Sequence, residues 1–136
     1  MIGSDAHTKR IPDLDIQHQW AIEFKIVRPF GDNGKEAENW SVNMLHPYPG
    51  NVSLITDAIK LIQLCGFTKK GLFVIGFEHN PVKISLDPLI NSFESISKQV
   101  MQINLGKRIE QRRVGLVHPE HHVLRCIGWE INPKSI

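Results

Sequence analysis

A chain of 136 residues, 41% hydrophobic and 22% charged, is long enough to bury one core and ordinary for a single globular domain over 1–136. Its formal charge of +2 is too small to announce nucleic-acid binding by itself, and it leaves a local basic face open. No apolar run approaches the ~20 residues of a membrane span, and "MIGSDAHTKR" has no apolar signal-peptide core. Cys65 and Cys126 have apolar neighbours and form no C-x-x-C pair, so they read as buried thiols of a reducing compartment. The expectation is a cytoplasmic protein without a membrane association.

The first element in chain order lies in "KRIPDLDIQ", where Leu14 and Ile16 alternate with Asp13, Asp15 and Gln17, as in a short strand. Pro12 is tolerable at its start. "WAIEFKIV" follows, with Trp20, Ile22, Phe24 and Ile26 on one side and Ala21, Glu23, Lys25 and Val27 on the other. The first set reads as the core face. A long connection, "PFGDNGKEAENW" to "HPYPGN", is rich in Gly, Asp and Asn and is a candidate functional loop. "SLITDAIKLIQLCG" then places Leu54, Ala58, Leu61 and Cys65 at helical spacing, with Gly66 as terminator and Ser53, Thr56, Asp57, Lys60 and Gln63 on the other side.

"GLFVIGF" is nearly continuous in apolar residues, which predicts a central strand covered on both faces. A helix follows from Asp87 as N-cap and Pro88 as first residue, with Leu89, Phe93, Ile96 and Val100 as its buried stripe. Two antiparallel strands, 110–117 and 122–131, close the chain. The strand–helix–strand crossover puts "WAIEFKIV" and "GLFVIGF" in one sheet. The expected class is therefore α/β, a mixed central sheet flanked by helices.

Pairing the first two strands with Asp13 opposite Glu23 brings Asp13, Asp15, Glu23 and Lys25 to one face. Carboxylates on neighbouring strands repel unless a cation sits between them, and hard oxygen donors suit Mg²⁺ or Mn²⁺. A lysine beside such a site can position an attacking water or stabilise developing phosphate charge. The plainer alternative is a same-strand ion pair on an outer face.

"PD" at Pro12–Asp13 followed by "EFK" at Glu23–Phe24–Lys25 resembles the motif of the PD-(D/E)xK nuclease superfamily, the restriction-endonuclease-like fold. The resemblance implies Asp13 and Glu23 as metal ligands, the Phe24 carbonyl as a further one, and Lys25 as the catalytic lysine. Asp57 and Lys60 on the next helix would be auxiliary residues, and Asp15 competes with Asp13. The implied activity is metal-dependent hydrolysis of nucleic acid, DNA first. The superfamily's first helix and strand find only a dozen residues ahead of Asp13. Either the N-terminal part is truncated, or a second subunit or the two last strands complete the sheet; a homodimer follows from the second option.

Arg28, Lys35, Arg108 and Arg112 are the candidate nucleic-acid contacts, although a solvated edge strand explains the last two equally well. His46 follows the long loop and is a further auxiliary candidate. His118, His121 and His122 in "VHPEHHVL" fit no zinc pattern and read as structural or exposed. They would make a histidine-metal hydrolase only by converging with His46. A non-catalytic binding module with the same architecture is the principal competitor.

Overall fold

A computed structural model describes residues 19–48, 50 and 52–133. Pro12, Asp13, Asp15 and the strand expected around them lie outside the described residues. The elements are β1 (Trp20–Val27), α1 (Trp40–Leu45), α2 (Leu54–Gln63), β2 (Lys69–Glu78), α3 (Asp87–Ser95), β3 (Ile109–Arg113) and β4 (Val123–Glu130). The sheet order is β1-β2-β4-β3, with β1 and β2 parallel and the other neighbours antiparallel. The mixed sheet and the α2 crossover agree with the expected class. No described helix is long and apolar enough to cross a membrane.

The alternation in β1 is real, but the inner face is the opposite one. Ala21 and Val27 are buried, whereas Trp20, Phe24 and Ile26 are 46%, 57% and 62% exposed. The reason is where the helices lie. Leu54, Ile55, Ala58 and Leu61 of α2 and Leu89, Ile90 and Phe93 of α3 join Ala21, Val27, Leu72, Val74, Ile127 and Trp129 in one core. By strand register those sheet residues share a face with Glu23 and Lys25. The same asymmetry corrects the reading of β2: Leu72 and Val74 are buried, while Phe73, Ile75 and Phe77 are only half-buried on the face that carries no described helix.

Other differences are local. The long connection holds the short helix α1, which the density of Gly and Asn around it concealed. Cys65 is exposed because α2 ends at Gln63, before it, and Cys126 is half-buried on the open face of β4. Val100 is 70% exposed because the helical stripe loses phase in a π-type turn over Ile96–Val100. Leu86, not Asp87, is the N-cap of α3. The Asp87 carboxylate turns instead to Arg125, 2.8 Å away.

The start of α2 is built to hold its position. Ser53 Oγ accepts the Thr56 amide hydrogen at 3.1 Å, Thr56 Oγ1 accepts that of Ser53 at 2.9 Å, and Ser53 Oγ donates to the His46 carbonyl at 2.6 Å. This capping box satisfies orphan donors of the first turn. Ser53→Ala should therefore lose about 0.5–2 kcal/mol. Urea denaturation checks it, and an unchanged midpoint would mean the cap contributes nothing.

Candidate functional site

Under α2, the helix-facing side of β1 carries its two charged residues. Lys25 Nζ lies 2.9 Å from Asp57 Oδ2, and Lys60 Nζ lies 4.0 Å from Glu23 Oε1. Strand parity places Glu23 and Lys25 on one face. Asp57 and Lys60, three apart, share one side of the helix above it. Asp57 is only 4% exposed, and its Oδ2 contacts the lysine without an aligned hydrogen bond. Four of the residues named from sequence thus converge as a charge-balanced quartet. Glu23 and Lys60 form its wetter side, and Lys25 with Asp57 its inner side.

The remaining candidates are dispersed. Phe24 would act through its carbonyl, between Glu23 and Lys25 in the strand; its side chain is on the opposite face, stacked on Phe73 with ring centres 5.4 Å apart. His46 ends α1, and its ring leans on Tyr48. Arg28 reaches toward Asp32 at 3.7 Å, and Lys35 is an exposed loop residue. Arg108 is committed inside the molecule: it donates twice to the Glu94 carboxylate and once to Asn91. Its guanidinium holds Glu94 below the usual carboxylate range, with help from the Trp129 indole. Arg112 pairs with Glu110.

A second polar locus lies where β1 and β2 end and β4 begins. His79 and Glu120 are joined at 2.9 Å, and that bond lowers the Glu120 pKa. His122 accepts the Asn80 amide on Nδ1 and meets the Pro119 carbonyl through Nε2, so both of its nitrogens are used. His118 and His121 stack with ring centres 4.4 Å apart. Their Nε2 atoms stand 3.4 and 3.5 Å from Asp32 Oδ1. Burial, and then the charge of His118, push the His121 pKa down, with Asp32 opposing them.

This group is the one set of three or more metal-competent donors within mutual reach among the described residues. His46 is not part of it. The H-x-x-H spacing around Pro119 was the available sequence signal, because residues three apart in a tight turn can present rings to one side. Asp32 carried no such signal. Compared with known proteins, the chain matches no family model, no curated protein and no solved structure.

Proposed function

We propose that the chain is a metal-dependent phosphodiesterase acting on nucleic acid, DNA first, with Glu23 and Lys25 at its centre and Mg²⁺ or Mn²⁺ as cofactor. The observation that carries this reading is the buried Asp57 carboxylate set against Lys25 beside Glu23. The donor set suits a hard cation: Glu23 and Asp57 offer carboxylate oxygens, with Asp57 Oδ2 already set against Lys25. Asp13 is the further ligand that the reading requires. When bound, the cation lowers the pKa of a nearby water and neutralises phosphoryl charge.

Hydrolysis adds a water oxygen to phosphorus and breaks one P–O ester bond. A proton leaves the attacking water, and one is returned to the departing alkoxide. Lys25 is suited to orient the water or to meet charge as it grows on phosphorus, because Asp57 holds its ammonium while other N–H donors stay available. Lys60, more exposed and 4.0 Å from Glu23, is the counter-charge that a cation would displace.

One observation favours the competing non-catalytic module: the quartet is electrically balanced without a metal. Cleavage of single- and double-stranded DNA and RNA with Mg²⁺, Mn²⁺ or chelator separates the two. The expected result is cleavage that requires metal and vanishes, together with metal-dependent thermal stabilisation, in Glu23→Ala. Saturation at about 100 times the dissociation constant should stabilise the native chain by roughly 2.7 kcal/mol. Metal-independent cleavage, or equal metal stabilisation of both proteins, would overturn the assignment.

A further inference from the structure

We infer that Asp32, His118 and His121 form a second, independent cation site, selective for a divalent transition metal of the Zn²⁺ class. The spacing is the first argument. Donors bound at ~2.0–2.1 Å to one tetrahedral ion stand roughly 3.3–3.4 Å from one another. Asp32 Oδ1 is 3.4 Å from His118 Nε2 and 3.5 Å from His121 Nε2. Both separations exceed the ~2.7–3.2 Å of a good N–H···O bond. All three donor atoms lie within 4.8 Å of one another.

The second argument is burial. The His121 side chain is only 9% exposed, and its Nε2 is buried with no hydrogen-bond partner. A buried polar atom of this kind destabilises the fold unless something binds it. The neighbouring histidines carry no such vacancy. His79 is bonded to Glu120 through Nε2, and His122 uses both ring nitrogens. Of the four, only His121 has a fully buried ring nitrogen without a hydrogen-bond partner, and it faces the Asp32 carboxylate.

The donor set names the metal class. Two imidazoles and one carboxylate suit Zn²⁺, Co²⁺ or Fe²⁺ and leave a coordination position open, whereas Mg²⁺ prefers oxygen alone. His118 is the weaker ligand. Its Nδ1 accepts the amide hydrogens of Glu120 and His121 at 3.0 and 3.1 Å, which puts the neutral ring's own proton on Nε2. To ligate through Nε2 it must move that proton to Nδ1, giving up both amide hydrogen bonds, or turn its ring. His121 and Asp32 are therefore the anchoring pair, and His118 tightens the site.

The test is titration of the full chain with Co²⁺, read by the visible absorption of tetrahedral cobalt, followed by Zn²⁺ competition. One equivalent of Co²⁺ should give the tetrahedral spectrum, Zn²⁺ should abolish it, and a large excess of Mg²⁺ should not. His121→Gln should eliminate the spectrum. Asp32→Asn sits on a side chain 71% exposed, so the fold tolerates it. It should weaken binding at least as much as the roughly 10–100-fold that follows loss of an outer-shell partner. Glu23→Ala should keep the full cobalt spectrum, which separates this site from the proposed nuclease centre. Absence of a tetrahedral spectrum, or an Asp32→Asn affinity equal to that of the native chain, would overturn the inference.

Discussion

Lys25→Ala should reduce cleavage by about 10²–10³-fold, the range for removing one group that stabilises transition-state charge. Metal affinity should hold or rise, since a positive charge beside the carboxylates is removed. Lys25 also has a structural partner, so the variant exposes Asp57 to a second effect. The carboxylate is 4% exposed and would be left without its cation. Breaking such a pair from one side can cost about 3–5 kcal/mol.

Asp57→Asn in the Lys25→Met background separates the two consequences. The neutral amide needs no counter-ion, so the double variant should recover much of the stability lost by Lys25→Met alone. Cleavage should stay low, because the ammonium and one carboxylate of the proposed donor set are both missing. Lys25→Arg should not restore the rate, since a planar guanidinium does not reproduce a compact ammonium. The measurements are urea denaturation for stability and initial cleavage rates at saturating metal. A double variant that is stable and fully active would make the pair purely structural.

Arg125→Met should destabilise the fold by about 3–5 kcal/mol, the cost of leaving a buried partner charge uncompensated. Arg125, the third residue of β4, is 1% exposed. Its Nη1 donates to Glu78 Oε2 at 2.9 Å, Nε and Nη2 donate to the two oxygens of Glu110 at 3.0 and 2.9 Å, and Nη2 lies 2.8 Å from Asp87. Glu78 Oε2 also accepts the Leu86 amide at 2.7 Å, tying the start of α3 to the sheet. The opposing β2 position is Gly76, where an added Cβ would meet Leu86 Cδ1 at 2.2 Å. Methionine fills much of the arginine's volume, so the loss measured would be chiefly electrostatic.

The same network sets the acid limit of stability. Hydrogen bonds from Arg125 hold the Asp87 and Glu110 carboxyls below their ordinary values, against the opposing effect of burial. A carboxyl depressed in the folded state stabilises fully above its unfolded pKa, and that contribution fades as pH falls through the folded value. The native chain should therefore begin to lose stability below about pH 5, where ordinary carboxylates start to titrate, and go on losing it below the ordinary carboxylate range. Arg125→Met should show a flatter acid limb over that window. Parallel limbs would remove these carboxyls as the cause.

Local patterns carried much of the architecture. Period-2 alternation marks β1, helical spacing marks α2 and the first half of α3, and the crossover predicts that β1 and β2 share a sheet. The candidates Glu23, Lys25, Asp57 and Lys60 were also legible, because strand parity and helical spacing each place two residues on one side of an element. Which side of β1 faces inward was not legible. Alternation is unchanged when the two faces are exchanged, and Trp20, Phe24 and Ile26 outweigh Ala21 and Val27 in hydrophobicity. Only the placement of α2 and α3 decided it, by burying the small residues and setting Lys25 against Asp57. The same holds for Arg125 with Glu78, and for Asp32 with His118 and His121. These contacts join segments far apart in the chain, so no local spacing encodes them, although H-x-x-H sets the two histidines side by side. They exist because the sheet ends bring those side chains within a few ångströms.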